Sequence, residues 1–427
     1  MSGIVRRSLD RDGVEALACE LAPPPPDPAI REVVAGILAD VRRDGDSALV
    51  ALTQRFDAPA FTREDIRVPR AALTAAAEGL DPVLRDAILT AAAQVRAVAE
   101  ATRPVDQHVT APLGQQIIVR AVPVAAAGLY VPGGRAAYPS SLIMAAVPAQ
   151  VAGVARIAVV TPPGADGRAH AVILATAAIL GIDEVYSVGG PGAIAALAFG
   201  TQTIAPVSVI AGPGSAWVQE AKRQVYGIVG IDGIAGPSEI IVVADADGDP
   251  GEIAADLLAQ AEHGPDSPAI LASADRALVD AVADVLAAAG ATGALTLVDC
   301  ASLDVALRFA EAFAPEHLQL HIRDAAAMAG KVRNAGAVFV GQNGATAFGD
   351  YVAGSNHILP TGGAARFASA VSAVTFMRRM SVVAFPDSAV VKMTPYLAAI
   401  AEAEGFPGHR RSAEVRAARI AREGESQ

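Results

Sequence analysis

Four of the seven histidines in this chain stand in or after short motifs that contain carboxylate or amide side chains. The motifs are Gln260-Ala261-Glu262-His263, Ala314-Pro315-Glu316-His317, the segment from Gly349-Asp350 to His357, and the acidic stretch before His409. Imidazole, carboxylate and amide groups supply metal ligands and proton-transfer groups in enzymes. In a chain that is 52% hydrophobic and only 18% charged, such groupings predict a chemical site.

Gln260 and His263 are predicted to share one face at the C-terminal end of a helix. Asp249 is the expected N-cap of this helix, and Gly264 is expected to end it. Side chains three residues apart lie on the same face, so an amide oxygen and an imidazole can reach one cation. Ligands of these types without cysteine favour zinc or a similar divalent ion. A solvent-exposed polar helix end is the alternative interpretation.

Glu316 and His317 are adjacent, so their side chains point in different directions and suit two separate roles. Pro315 disfavours helix at the residue before it, which predicts a turn or a helix start there. A histidine can take a proton from an alcohol, and a glutamate can activate water. A surface turn carrying an isolated histidine is the alternative.

Residues 349–361 combine small and polar side chains, which is typical of a binding loop held between core segments. Asp350 is a candidate metal ligand in this segment, and His357 is a candidate substrate contact. Taken alone, the segment is explained equally well by a structural loop.

Two glycine-rich turns, at residues 130–135 and 190–195, follow predicted strands and precede predicted helices. A helix N-terminus behind such a turn can hold phosphate. Residues 190–195 formally fit the dinucleotide pattern G-x-G-x-x-A, but no acidic residue ends the next strand, predicted at 207–211. Ordinary strand-to-helix turns explain both segments equally well.

The scaffold for these candidate residues is predicted to be an α/β protein with more than one domain. Residues 28–103 have helical spacing, whereas residues 130–238 alternate short apolar runs with helical segments, which indicates a parallel sheet covered by helices. The chain from about residue 373 onward is predicted to be largely helical. A second α/β region has predicted strands near 240–244, 269–272, 296–298 and 337–340.

Composition limits the partners and the location of the chain. A net charge of −12 without an acidic tail argues against nucleic acid as a partner. Two cysteines, Cys19 and Cys300, favour a reducing cytoplasm over a disulfide framework, and the first residues lack the apolar core of a secretory signal. Residues 142–160 are apolar but interrupted by Pro148 and Arg156, which predicts a buried helix and strand and no membrane span.

Six stretches taken together are much more specific than any one motif. They are residues 128–134, Ile231-Asp232, Ala235-Gly236-Pro237-Ser238-Glu239, residues 256–263, Ala314-Pro315-Glu316-His317-Leu318, and residues 349–361. On the basis of these six stretches, the chain resembles the histidinol dehydrogenase family over nearly its full length. The resemblance implies a homodimeric, zinc-dependent enzyme that oxidises L-histidinol to L-histidine through the aldehyde with two NAD.

The resemblance also implies roles for individual residues. His317 would be the general base in the hydride-transfer steps, and Glu316 would activate water so that the aldehyde reacts as its hydrate. The implied zinc ligands are Gln260, His263, Asp350 and His409. The implied substrate contacts are Ser238, Gln260, His263, His317, Asp350, His357, Glu404 and His409. The implied NAD contacts are Tyr130, Gly192 and Ser215.

The fold implied by the resemblance has two incomplete Rossmann-like α/β domains with parallel sheets, an N-terminal arm and a C-terminal helical dimerisation segment. The metal and acid-base residues are expected in the first domain and the NAD contacts in the second. The expected boundaries are 1–26 for the arm, 27–129 plus 239–372 for the first domain, 130–238 for the NAD-side domain, and 373–427 for the helical segment that reaches the partner subunit.

Two positions depart from the family pattern on the cofactor side. Gly192 stands where the family usually has glutamine, and Ser215 stands where it usually has asparagine. The leading hypothesis is oxidation of histidinol. One alternative is a related zinc- and NAD-dependent dehydrogenase acting on another amino alcohol or a sulfonated diol. A second alternative, from another class, is a zinc hydrolase in which Glu316 activates water without nicotinamide.

Overall fold

The computed structural model describes residues 4–24, 27–133 and 137–425. Pro25 and Pro26 of the predicted arm, and Gly134 and Arg135 of the first glycine-rich turn, lie outside the described residues. The chain divides into two compact units. The first unit comprises Met1–Thr102 and Val124–Phe376, and the second comprises Arg103–Pro123 and Met377–Gln427.

The strands are short, and most are buried on both faces. In chain order they are β1 (Ile4–Leu9), β2 (Gln107–Thr110), β3 (Gln116–Pro123), β4 (Ala126–Tyr130), β5 (Arg156–Val160), β6 (Val185–Tyr186), β7 (Val209–Ala211), β8 (Gly230–Ile231), β9 (Ile240–Ala244), β10 (Ala269–Ser273), β11 (Leu295–Cys300), β12 (His317–His321), β13 (Ala337–Val340) and β14 (Met377–Ala384). The strands expected at 240–244 and 337–340 have the predicted bounds.

The helices range from one turn to five turns or more. They are α1 (Val14–Leu21), α2 (Pro28–Asp44), α3 (Asp46–Phe56), α4 (Arg70–Glu78), α5 (Pro82–Thr102), α6 (Pro139–Ala152), α7 (Ala171–Ile179), α8 (Gly190–Phe199), α9 (Ala216–Val225), α10 (Pro250–Ala261), α11 (Arg276–Ala288), α12 (Leu303–Phe313), α13 (Ala325–Ala329), α14 (Thr346–Tyr351), α15 (Asp387–Ala403) and α16 (Pro407–Glu425). Three 3₁₀ turns lie at Arg63–Asp65, Ala364–Arg366 and Ala373–Phe376.

The first unit contains two parallel sheets with related strand orders. The five-stranded sheet has the order β6-β5-β4-β7-β8. The six-stranded sheet has the order β1-β11-β10-β9-β12-β13. Numbered along the chain, the five-stranded sheet has the doubly wound order 3-2-1-4-5, and the six-stranded sheet has the same order once β1 is left out. Both lack the sixth strand of a complete Rossmann sheet at the 4-5 side. The predicted α/β fold with two incomplete Rossmann-like sheets is therefore confirmed.

One strand of the six-stranded sheet, β1, lies in the segment that was predicted to be an N-terminal arm. Strand β1 pairs in parallel with β11 along its whole length, from Ile4 opposite Leu295 to Leu9 opposite Cys300. Strand β9 lies near the middle of the sheet, and all five of its residues are buried. Its unbroken apolar sequence follows from this position, because helices cover both faces of a parallel sheet. The proposed domain boundaries stay predictions.

Residues 142–160 form the buried part of α6, a turn and strand β5, as the interrupted apolar pattern predicts. Pro148 lies inside α6, which is buried over almost all of its length. Among the described residues, no helix combines the length and the apolar character that crossing a membrane requires.

The second unit consists of an antiparallel sheet and two helices. Strand β3 lies between β14 and β2. The helices α15 and α16 follow β14 and account for most of the C-terminal segment, as predicted. The eight-residue strand β14 was not expected from sequence, because all eight of its residues are partnered with β3 residues more than 250 positions earlier in the chain.

Candidate active site

The predicted metal and acid-base residues of the first unit gather at the amino-terminal edge of the six-stranded sheet. Glu316 and His317 lie at the start of β12, and the register places His317 opposite Ile240, the first residue of β9. Helix α10 runs back along the sheet, so its C-terminal end comes to the same edge. The cluster comprises Ser238, Gln260, His263, Glu316, His317, Asp350 and His357.

His317 is buried, with 3% of its surface exposed, and its ring orientation is fixed by the backbone. Its Nδ1 lies 3.2 Å from the carbonyl oxygen of Glu239, which also accepts the His317 backbone N–H at 3.1 Å. A carbonyl oxygen can only accept, so Nδ1 carries the proton in the neutral ring and Nε2 has a free lone pair. Nε2 has no hydrogen-bond partner among the described residues and lies 3.6 Å from Asp350 Oδ1.

Burial lowers the pKa of His317, and the charge of Asp350 opposes this shift. Taking a cationic imidazole out of water is unfavourable, so the neutral ring is stabilised over a wider pH range. A neutral imidazole with an unpartnered Nε2 is equipped to accept a proton.

Glu316 is held at the turn that precedes β12. Ala314 has a left-handed backbone conformation, with φ of 57°, and Pro315 follows it. The predicted turn at Pro315 is confirmed, and a strand rather than a helix follows it. The backbone N–H of Glu239 donates to Glu316 Oε2 at 3.1 Å. Burial raises the pKa of Glu316 to about 7, while hydrogen bonds from Ser238 and from the Glu239 backbone lower it.

The C-terminal end of α10 presents Gln260 and His263. Asp249 caps the helix by accepting from two backbone N–H groups, as predicted, and the helix ends at Ala261. The His263 Nδ1 lies 3.2 Å from the carbonyl oxygen of Gln260, so this ring also carries its proton on Nδ1 and leaves Nε2 free. The amide oxygen of Gln260 accepts from Ser238 at 3.3 Å.

Asp350 and His357 come from α14 and the loop after it. The His357 Nδ1 lies 2.8 Å from the backbone oxygen of Asp350, and its Nε2 lies 3.3 Å from the hydroxyl of Ser141 on α6. Burial lowers the pKa of His357 to about 4, so the ring is neutral at physiological pH. Burial also raises the pKa of Asp350, and the neighbouring His317 and His263 lower it.

The donor atoms at this edge fit a divalent metal ion. The donors here are of mixed type, namely an imidazole (His263), a carboxylate (Asp350) and an amide (Gln260). In the described part of the chain, no group of three or more His, Cys, Asp or Glu side chains is arranged to hold a metal ion. The amide oxygen of Gln260 accepts one hydrogen bond, from Ser238 at 3.3 Å, and an amide oxygen has a second lone pair that a cation can use. A histidine whose Nδ1–H is bonded to a carbonyl, as in His263, presents Nε2 in the manner usual for metal ligands.

The predicted cofactor residues lie at the other sheet of the first unit. Tyr130 ends β4, is buried, and accepts the backbone N–H of Gly190 at 3.2 Å through its hydroxyl oxygen. Burial raises the pKa of Tyr130 to about 12. Gly192 and Ser215 both line a cavity of about 410 Å³ at the N-terminal ends of α8 and α9. Neither helix has a side-chain hydrogen bond at its N-cap.

The dinucleotide-like pattern at 190–195 does not occupy the position of a Rossmann fingerprint. It begins helix α8, which follows β6, the third strand of its sheet, whereas the fingerprint follows the first strand. Gly192 lies in the first turn of α8, where an added Cβ would approach Leu52 Cδ1 to 2.9 Å.

Glu404 and His409 belong to the second unit. Glu404 caps the C-terminus of α15, and His409 lies in the first turn of α16 with its ring 5.2 Å from that of Phe406. Both line a cavity of about 1120 Å³ within this unit. Their side chains are exposed.

Sequence reasoning gave no role to Glu239 or Ser141. Glu239 is completely buried, and its backbone and side chain both contact the acid-base pair. The sequence feature that could have pointed to Glu239 is its place directly before the five-residue apolar strand β9. Ser141 contacts His357 from α6, a pairing 216 positions apart that no local pattern indicates.

Comparison with known proteins identifies the family of the chain. The family profile of histidinol dehydrogenase matches residues 25–417. A histidinol dehydrogenase from Caulobacter vibrioides is 46% identical over 394 residues, which covers 90% of this chain and 91% of that protein. One from Ruegeria pomeroyi is 44% identical over 407 residues, covering 92% and 93%. The crystal structure of histidinol dehydrogenase from Elizabethkingia anophelis superposes with a TM-score of 0.92, at 32% identity and 98% coverage of both chains.

Two parallel sheets covered by helices, together with these relatives, define an α/β oxidoreductase. The chain belongs to the histidinol dehydrogenase family, as the six sequence stretches indicated.

Proposed function

We propose that the chain oxidises L-histidinol to L-histidine through histidinaldehyde, with zinc and two NAD, as a homodimer with shared active sites. Family membership supports the substrate. The observation that supports the proposed chemistry is the fixed ring of His317. Its free Nε2 lies 3.6 Å from Asp350 Oδ1, and its Nδ1 lies 3.5 Å from Glu316 Oε2 at the same sheet edge.

His317 would act as the general base in both oxidation steps. Its Nδ1–H is held by the Glu239 carbonyl, so the free Nε2 would take the proton from the substrate hydroxyl and, later, from the aldehyde hydrate. The lowered pKa of His317 keeps this nitrogen unprotonated before each step.

Glu316 would activate the water that adds to the aldehyde. A carboxyl group with a pKa of about 7 is a stronger base than an ordinary glutamate and is still partly ionised at neutral pH. It would take one proton from the water as the new carbon–oxygen bond forms and return that proton to the former carbonyl oxygen. The product is the hydrate that the second oxidation converts to the acid.

Gln260, His263 and Asp350 would hold one zinc ion per subunit, and His409 from a second copy of the chain would complete the set. When bound, zinc would polarise the substrate oxygen and NAD would accept the hydride. Ser238 and His357 would contact the substrate, since both lie among the proposed zinc ligands. Glu404 would bind it from the other subunit, while Tyr130, Gly192 and Ser215 would contact NAD.

The second unit supports the proposal of a dimer. Several large apolar side chains of α15 and the segment after it are exposed, among them Tyr396, Ile400 and Phe406. Continuous exposed apolar surface is typical of a protein interface. A second chain that covers this surface would also bring Glu404 and His409 close to protein groups.

The test is an assay of purified protein with zinc, NAD and L-histidinol, run beside other amino alcohols and sulfonated diols. The proposal predicts about two NADH for each histidinol consumed and histidine as the product. NADH formation from another alcohol alone would support the related dehydrogenase, and hydrolysis without NAD would support the zinc hydrolase.

A further inference from the structure

Glu239 is a completely buried carboxylate that no proposed step uses, and two backbone N–H groups hold it. Gly362 N donates to Glu239 Oε1 at 2.7 Å, and Glu316 N donates to Glu239 Oε2 at 3.3 Å. A buried carboxylate is costly unless its oxygens are hydrogen-bonded, and these two bonds meet that need. The side chain therefore links the segment that follows α14 to the turn before β12 through these hydrogen bonds.

The backbone of Glu239 contacts both members of the proposed acid-base pair. Its N–H donates to Glu316 Oε2, and its carbonyl oxygen faces both the backbone N–H and the Nδ1 of His317. Glu239 and Glu316 thus exchange reciprocal bonds, because each carboxylate accepts the backbone N–H of the other residue.

A second contact links the same loops. The backbone N–H of Gly236 donates to the hydroxyl of Thr361, which neighbours Gly362. The segment before β9 is therefore hydrogen-bonded to residues 361–362 at two points three residues apart, through the backbone of Gly236 and the side chain of Glu239.

We propose that Glu239 is a positioning residue for the acid-base pair: its carboxylate holds the backbone at Glu316 and Gly362, which keeps the carboxylate of Glu316 and the ring of His317 aligned. The proposal rests on the proposed function, because it concerns the roles given there to Glu316 and His317. Glu239 touches neither substrate nor cofactor in this view, and it acts only through its two neighbours.

The variant Glu239→Gln tests this directly. The amide has the same shape, but its NH₂ faces an N–H donor in place of an acceptor oxygen, so one of the two bonds is lost. Misplacing catalytic groups by about 1 Å costs on the order of 100-fold in rate, so we expect kcat to fall by about 10- to 100-fold. KM for histidinol and NAD should change by less than about twofold, since binding groups stay in place.

Glu184→Gln is the matched control. Glu184 is partly buried and hydrogen-bonded to Arg156 and Tyr186 beside the five-stranded sheet, so its loss affects stability without reaching the acid-base pair. Equal kcat losses in the two variants would overturn the proposal. Should Glu239→Gln fail to fold, Glu239→Asp keeps the charge but shortens the reach, and the same separation of kcat from KM is expected.

A double-mutant cycle separates positioning from general stability. If Glu239 acts through Glu316, then Glu239→Gln should add little to the loss of kcat caused by Glu316→Gln. Fully additive losses would contradict the proposal.

Hydrogen exchange by mass spectrometry gives a readout that needs no activity. Peptides containing the amides of Glu316 and Gly362 should exchange faster in Glu239→Gln than in wild type or Glu184→Gln. Unchanged exchange in both peptides would overturn the proposal even if activity fell. If wild type itself did not oxidise histidinol, the proposed function would fail, and faster exchange at both amides would still support Glu239 as the residue that aligns Glu316 and His317.

Discussion

The two parallel sheets of the first unit share a strand order but carry their candidate functional residues at opposite edges. In the five-stranded sheet, Tyr130 ends β4 and the glycines lie at the N-terminal ends of α8 and α9. In the six-stranded sheet, Glu316 and His317 lie where β12 begins, beside the C-terminal end of α10. Doubly wound sheets usually bind ligands at the carboxyl edge, so the six-stranded sheet departs from that rule.

The difference follows the electrostatics of helix ends. Free N–H groups at a helix N-terminus favour anions such as phosphate, whereas free carbonyls at a C-terminus favour cations. By this argument the edge with the N-terminal ends of α8 and α9 favours an anionic group, and the edge with the C-terminal end of α10 favours a cation. The proposed acid-base groups lie at the second edge, so we expect substitutions there to reduce the rate of the chemical steps and substitutions at the first edge to weaken binding.

The largest effect is expected for His317→Ala. Removing a general base costs about 100- to 10,000-fold, so NADH formation should nearly cease while bound zinc remains. Rates and metal content of the purified variant provide the measurement. His321→Asn is the matched control, because His321 is buried on the same strand face but takes no part in the proposed site. Near-normal turnover in His317→Ala would remove this residue from the mechanism.

The next effect is expected for His263→Ala. Loss of a residue that merely orients a metal ligand costs about 10- to 100-fold in affinity, so loss of a ligand should lower zinc affinity by at least about 100-fold. Metal analysis after dialysis against a weak chelator measures this. His409→Ala should act in the same direction, and His108→Ala, on an exposed strand of the second unit, should retain its zinc. Full zinc retention in His263→Ala would exclude it as a ligand.

The pH dependence of aldehyde oxidation should show one acid limb, from Glu316. Its pKa is raised to about 7, so the carboxyl group is protonated below that pH and ionised above it. Activity that needs the ionised form should therefore fall about tenfold per pH unit below about pH 7. Burial lowers the pKa of His317, so this ring takes up its proton at a lower pH than an imidazole in water does. The limb near pH 7 should disappear in Glu316→Gln, and its persistence there would assign it to another group.

The smallest effect is expected for Tyr130→Phe on the cofactor edge. The variant loses the acceptor for the Gly190 N–H, a bond with a net value of about 1 kcal/mol, so KM for NAD should rise by roughly fivefold. The kcat value should stay within about twofold of wild type. Tyr186→Phe, which removes a hydroxyl bonded to Glu184, is the control. A large loss of kcat in Tyr130→Phe would contradict the assignment of binding to one edge and chemistry to the other.

Much of the fold could be predicted from sequence where local signals were strong. The N-cap Asp249, the end of α10 and the central strand β9 were recognised from capping chemistry and an unbroken apolar run. Strand β12 was not recognised, although its five residues alternate between polar and apolar, and all of them are buried. Leu318 and Leu320 enter the apolar core, while Gln319 between them donates to Asp256 of α10 and to the backbone oxygen of Gly344.

The sequence predicted the residue types of the candidate site but not the hydrogen bonds that join its residues. The motifs identified which side chains could bind metal or move protons. They gave no role to Glu239, because its bonds to Glu316 join residues 77 positions apart. They also could not relate His357 to Ser141, which comes from a helix of the other sheet.

The sequence by itself determined the supply of ionisable groups, the α/β alternation and the family, since these depend on residue types and local periodicity. Only the tertiary structure decided which edge of each sheet carries the functional groups and which ring nitrogen of each imidazole carries the proton. Those features depend on strand register and on backbone carbonyls contributed by distant segments. The backbone carbonyl of Glu239, which fixes the ring of His317, is such a group. Because every residue has a backbone carbonyl, the residue type at this position could not indicate its role.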